Sequence, residues 1–314
     1  MKRVAITTKD FHYANQLIKE LIKDKRIEKI VVIGKDLTIP VIDKIVYIDT
    51  LPYFPLSTIL KENEVDTIVN FMKIDDDTYS SKEAYNITLQ SLKNIMSSGI
   101  RAGVKDFILY SSAVVYGVNK KKKLINFEPE RLKKAGSKFY YSKLRFESEK
   151  IAYEYMDEFP DLNIKIARTS FTLGANINNL ISSYLSLKFI PMVTHYNPEY
   201  QFVHENDVVR AFHYLIFNGK RGIYNISPDD SISLKEISEI MGHRLVSFPK
   251  IIAKQIAFLS WHTMPKVLKI PPYSLDFFMY SVLINNQTLL DTGFKFQYTT
   301  EETIKAFKKF KEHF

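Results

Sequence analysis

The side chains able to carry chemistry in this 314-residue chain are few in kind, because it has no cysteine and its 7 histidines are scattered. Thiol nucleophiles, disulfides and thiolate metal sites are excluded. His12, His195, His204, His213, His243, His262 and His313 never fall in an H-E-x-x-H spacing, and no G-x-S-x-G elbow presents a nucleophilic serine. No metal site is expected. What remains is proton exchange by hydroxyls and amines, and these crowd in two places. One is SSAVVYG at 111–117, and the other is FYYSKLRFE at 139–147, with Tyr140, Tyr141 and Lys143 close together. His204 and Asp207, in FVHENDV at 202–208, read as residues that tie structure together.

The elements that must position these groups follow from hydrophobic rhythm. Short β-branched runs alternate with amphipathic stretches, as in parallel strands joined by crossover helices. Strands are expected at 4–7, 29–34, 44–48, 67–71, 106–112 and 164–168. Between the first two, Leu17, Leu21 and Ile22 recur at helical spacing, and so do the apolar positions from 81 to 102. After about residue 170 the rhythm changes: a helix near 176–187, a strand running into a helix from Gln201, a strand at GIYNIS, and a helix opened by Ser233 with Glu236 three residues on. The fold class expected is α/β, a doubly wound parallel sheet over 1–170 with a smaller C-terminal α/β lobe over 171–314, interleaved with the first.

Composition narrows the partners. With 46% hydrophobic residues the chain can bury a substantial core. The net charge of +9 is spread along the chain, and its one dense run, Lys120 to Lys123, reads as a solvated loop. No zinc spacing, helix-turn-helix or aromatic-basic RNA signature accompanies that charge, so no nucleic acid is expected. The start reads as a buried strand, and the most apolar region, 251–261, is short and interrupted by Lys254. A cytoplasmic protein is expected.

Several segments in order resemble one family. SSAVVYG, FYYSKLRFE, Asn86 at the opening of a helix, VDTIVNF, FVHENDVVRA, GIYNIS and the closing LLDTGFKFQYTTEETIKAF together look like the extended short-chain dehydrogenase/reductase superfamily, specifically its NAD-dependent epimerases and dehydratases. The likeness covers nearly the whole chain. It implies a Rossmann-type fold, NAD or NADP as cofactor, a small-molecule ligand such as a nucleotide sugar, and a homodimer formed through the helices near 84–102 and 140–157. Tyr85, Leu89 and Leu92 could supply an apolar stripe for that contact or belong to the core.

Carried over residue by residue, the resemblance exposes departures. The family's G-x-x-G-x-x-G phosphate loop falls on Thr8, Phe11 and Ala14, and only alanine is an easy substitute for glycine. Either Thr8, Lys9 and the free helix amides hold a cofactor in a rearranged loop, or Asp10 or Thr8 caps the helix while the Phe11 ring fills the space. At the end of the second strand, where the family holds the ribose with an acid, stand Gly34 and Lys35, with Asp36 late. Lys35 could favour a 2′-phosphate or be an ordinary loop lysine. Asp49 matches an aspartate that contacts adenine.

The family's proton-transfer set is incomplete as well. It pairs a serine and a tyrosine with a lysine one helical turn after the tyrosine. Ser112 and Lys143 match the serine and the lysine, but Phe139 stands at the tyrosine position, and a phenyl ring cannot exchange a proton. Tyr140 and Tyr141 are rotated from that position by about 100° per residue. Arg168 matches the family's arginine after the sixth strand, and Thr169 replaces its proline. Three readings result: a divergent member with weak or no classical redox activity acting as a ligand-binding or scaffold protein; an active NAD(P)-dependent epimerase, dehydratase or reductase using Ser112, Lys143 and Tyr140; or a protein that contacts a membrane or protein surface through Lys250 to Tyr280.

Overall fold

The computed structural model describes residues 1–9, 11–52, 54–73, 81–118, 126–263, 270–271 and 273–313. Asp10 and the lysine run at 120–123, both singled out above, lie outside them, as does the side chain of Phe11. Two compact units are formed, one from residues 1–111, 147–167 and 209–224, the other from 112–146, 168–208 and 225–314.

The first half of the chain builds β1 (Lys2–Thr7), α1 (Phe11–Lys23), β2 (Ile27–Gly34), β3 (Ile45–Asp49), α2 (Ser57–Glu62), β4 (Thr67–Asn70), α3 (Ser81–Ala102) and β5 (Asp106–Ser112). It continues through a short β6 (Asn126–Phe127), α4 (Tyr140–Glu158) and β7 (Asn163–Thr169). The later elements are β8 (Phe171–Leu173), α5 (Leu180–Leu185), β9 (Phe189–Val193), β10 (Glu199–Tyr200), β11 (Phe202–His204), α6 (Glu205–Asn218), β12 (Gly222–Ile226), β13 (Ile232–Ser233), α7 (Leu234–Met241), β14 (Arg244–Phe248), α8 (Lys250–Thr263), β15 (Leu283–Ile284), α9 (Gln287–Leu290) and α10 (Thr300–His313).

The main sheet has seven strands in the order β12-β7-β5-β4-β1-β2-β3, the doubly wound arrangement expected from the alternating runs. The six expected strands are all present, and GIYNIS supplies the seventh, at the edge. β1 pairs parallel with both β2 and β4, and β4 with β5. Continuous burial of Val4, Ala5, Ile6 and of Ile30 through Ile33 fits strands covered on both faces. Helix α1 buries Leu17, Ile18 and Leu21, with Ile22 only half-buried at the edge of that stripe. On α3, Leu92 enters the core and Leu89 packs against it, so those two members of the stripe serve the interior.

The chain reverses direction across the sheet between β1 and β4, the place where open α/β sheets offer a crevice at their strand ends. There the Thr7 hydroxyl donates to Asn70 Oδ1 at 2.6 Å, and Phe71 N–H donates to the Thr7 carbonyl at 2.9 Å.

The second unit packs α7 and α10 with two-stranded pairings, β8 with β11 and β9 with β14, around Leu173, Tyr200, Phe202, Ile237, Ile304 and Phe307. Both arms of the capping box read from Ser233 and Glu236 are present, and Gly242 ends the helix in the left-handed region at φ 72°.

Candidate functional site

In the first unit, the carboxyl ends of β1 and β2 are locked against each other. Thr8 is fully buried, and its N–H donates to the Ile33 carbonyl at 3.0 Å. A Cβ placed on Gly34 would collide with the Thr8 carbonyl oxygen and with the Leu37 side chain. This explains in steric terms why no acid stands at the end of β2: the close backbone approach admits only glycine. Lys9 is half-buried, Lys35 is exposed, and Ala14 is buried on α1, where a small residue lets the helix sit close to the sheet.

Beyond Gly34 the chain turns at Asp36, whose φ of 58° is left-handed. Asp49 holds that turn. Its carboxylate accepts the Asp36 N–H at 2.9 Å and the Tyr47 hydroxyl at 3.0 Å, while Leu37 N–H donates to the Tyr47 oxygen at 2.9 Å. The Asp36 amide, then the Tyr47 hydroxyl, keep the Asp49 carboxyl below its ordinary range. Asn86 lies exposed on α3.

Measured against a dinucleotide, these residues fit in part. Buried Ala14 and the exposed carboxylate of Asp49 are compatible with one. Where the resemblance expects the first glycine of a pyrophosphate cradle stands Thr8, fully buried.

In the second unit, β5 ends in Ser112, whose extended backbone caps the turn at Ala113–Tyr116, with a long contact of 3.5 Å from Val114 N–H to its Oγ. Ser142, beside Lys143, donates from Oγ to the Val114 carbonyl at 2.7 Å and so ties the start of α4 to this turn. Lys143 N–H donates to the Phe139 carbonyl at 3.0 Å, which places Phe139 one turn before the lysine. The Phe139 ring packs on Phe277 and Tyr141, with centroids 5.9 and 6.2 Å away. Tyr140 and Lys143 are exposed.

Tyr141 has a cationic partner of its own. Arg145, one turn later and almost fully buried, donates from Nε to the Tyr141 hydroxyl oxygen at 3.1 Å. The tyrosine-cation spacing sought at 139 and 143 thus recurs two residues downstream, with arginine in place of lysine. Arg168, on β7, is fully buried, donates to the Tyr116 hydroxyl at 2.6 Å, and lies over its ring. In the first unit Glu149 is also fully buried, accepting Ser111 Oγ at 2.5 Å and Tyr153 Oη at 2.6 Å. The sequence signals for these groups, Tyr141 with Arg145 and Glu149 with Tyr153, are pairs four apart on one helix. His204 and Asp207 bind the closing stretch of the chain: Asp207 accepts the N–H groups of Gln297 and Tyr298, and His204 stacks on Tyr298 at 4.0 Å.

With that geometry in place, comparisons with known proteins are informative. Residues 14–227 match the model of the NAD dependent epimerase/dehydratase family. The fold is similar to a dTDP-glucose 4,6-dehydratase from Bacillus anthracis in complex with NAD, with TM-score 0.72, 14% identity, and 99% of this chain and 97% of the other covered. It is also similar to a UDP-glucose 4-epimerase from Thermotoga maritima with UDP-glucose, with TM-score 0.71, 13% identity, and 98% and 99% covered. A curated relative, the N-acetyl-alpha-D-glucosaminyl-diphospho-ditrans,octacis-undecaprenol 4-epimerase of Escherichia coli O157:H7, is 22% identical over 169 residues, 52% of this chain and 49% of the relative. The chain spans about half the length of the curated relatives it matches.

Proposed function

Because this chain belongs to the NAD dependent epimerase/dehydratase family, we propose that it is a divergent member that binds a nucleotide-type small molecule and has weak or no classical redox turnover. One observation carries this reading. One turn before Lys143 stands the ring of Phe139, packed against Phe277 and Tyr141, so no hydroxyl occupies the place from which the family's tyrosine exchanges its proton. Buried Thr8, standing where the resemblance expects a glycine, points the same way. The ligand is sought among nicotinamide dinucleotides and nucleotide sugars, because solved proteins of similar fold carry NAD or UDP-glucose.

A second reading has its own support. Tyr141 accepts a hydrogen bond from buried Arg145, so a phenol and a cation stand one helical turn apart. An active NAD(P)-dependent epimerase, dehydratase or reductase would then use a tyrosine from a shifted register beside Ser112 and Lys143.

Isothermal titration with NAD⁺, NADH, NADP⁺ and NADPH, with mass spectrometry of small molecules released on denaturation, separates the readings. Ligand binding without turnover on sugar nucleotides supports the first. Turnover that is lost in Tyr140→Phe or Tyr141→Phe supports the second. No binding of any dinucleotide or sugar nucleotide up to millimolar concentration sinks both.

A further inference from the structure

Helix α8 is built inside out. Its small residues, Ala253, Ala257 and Ser260, face inward, and Ser260 Oγ accepts the Ile270 N–H at 3.2 Å. Its large apolar residues face outward: Ile251 is 73% exposed, Phe258 68% and Leu259 56%, with Ile252 and Ile256 also exposed. Of the 12 large hydrophobic side chains exposed among the described residues, these five fall on one helix of 14 residues, which scattered surface hydrophobics would not do. At about 100° per residue they span an arc of roughly 160°, with Gln255 and His262 inside it and Lys254 on its flank.

Helix α8 carries two lysines, Lys250 and Lys254, and no acid, and between Glu239 and Asp276 the sequence contains no acidic residue. Lys250 lies 5.7 Å from the Tyr196 ring, and Lys138 lies 6.0 Å from the ring of Tyr273, itself exposed. A helix whose exposed face carries isoleucine, leucine and phenylalanine, with Lys254 on its flank, has the pattern of one lying in a lipid interface. No helix among the described residues is long and apolar enough to cross a membrane.

We propose that α8 docks this protein onto the surface of an anionic lipid bilayer, its isoleucines and Phe258 entering the acyl boundary while Lys250 and Lys254 meet the headgroups. A second copy of the chain is the poorer occupant, because α8 carries lysines and no acid, so apposing two such helices brings like charges together. An anionic bilayer supplies both the apolar phase and the countercharge. The inference does not depend on dinucleotide binding.

The experiment uses the full chain with vesicles of phosphatidylcholine alone or mixed with phosphatidylglycerol. Trp261, on α8, is the single tryptophan of the protein, so its fluorescence reports on this helix directly. Cosedimentation with the anionic vesicles and a blue shift of Trp261 are expected, both weakening as salt rises. Ile251→Ser combined with Phe258→Ser should lower partitioning at least about tenfold, and Lys250→Gln and Lys254→Gln about fivefold each. These side chains are exposed, so the variants should keep the parent's melting curve. Absence of vesicle binding, or binding indifferent to these four substitutions, overturns the proposal. So does a dimer in sedimentation velocity that the same substitutions dissolve while vesicles leave Trp261 unchanged.

Discussion

Arg168 Nη1 donates to the Tyr116 hydroxyl at 2.6 Å, and the same hydroxyl oxygen lies 2.8 Å from Asn225 Oδ1. A fully buried guanidinium is held against a phenol, with its carbon 4.7 Å from the ring. Tyr116→Phe keeps the ring contact but removes the oxygen that Arg168 and Asn225 share. The expected cost is about 1–3 kcal/mol, because buried polar groups lose a partner. Urea denaturation of the two proteins measures it, and an unchanged midpoint would show that the hydroxyl contributes nothing net.

Phe139→Tyr is the direct test of the missing proton donor. Its ring is only half-buried, so the added hydroxyl should be accommodated with little loss of stability. If the missing hydroxyl is what limits turnover, Phe139→Tyr raises epimerase or dehydratase activity with NAD and a nucleotide sugar at least about 100-fold. Lys143→Ala made on top of it should remove that gain, since the resemblance gives this lysine two roles, as partner of a tyrosine one turn earlier and as holder of the nicotinamide ribose. An equal rate in parent and variant would locate the defect elsewhere.

Much of this was legible in the residues. The β-branched runs marked the strands because a parallel sheet covered on both faces selects for them, and Ser233 with Glu236 marked α7 because the capping chemistry is local. What escaped was long-range. That Gly34 faces the Thr8 carbonyl depends on the pairing of β1 with β2, which no local spacing encodes. Arg168, Tyr116 and Asn225 meet across a wide separation in sequence. By contrast Tyr141 and Arg145 stand four apart on one helix, a spacing overlaid in the sequence by Lys143, where the resemblance places the cation.

Gly34→Ala tests the lock between β1 and β2. The new methyl group meets backbone, the Thr8 carbonyl oxygen, which cannot swing aside as a side-chain end can. A loss of about 1–3 kcal/mol is expected, as for overpacking in a tight interior. The melting temperature should fall accordingly, and any dinucleotide affinity should fall with it as the ends of the two strands are forced apart. An unshifted melting curve would mean that the strands can separate freely here.

His204 makes stability depend on pH in a stated direction. Burial lowers its pKa below the ordinary value, and the nearby carboxylates of Glu205 and Asp207 offset this only in part. Its Nδ1 accepts the Asn206 N–H at 3.2 Å, a contact that needs the neutral ring. The unfolded chain therefore takes up a proton at higher pH than the folded one does. From this group stability is flat above about pH 7 and falls as pH drops through about 6.5 toward the lower folded pKa. His204→Phe keeps a ring for Tyr298 to stack on but does not titrate. At about pH 7.5 the variant should be less stable by about 0.5–1.5 kcal/mol for the lost acceptor. Toward about pH 5 the gap should narrow, because only the parent is losing stability. Thermal melts of both proteins across that range decide it, and a constant gap would mean that His204 does not titrate on unfolding.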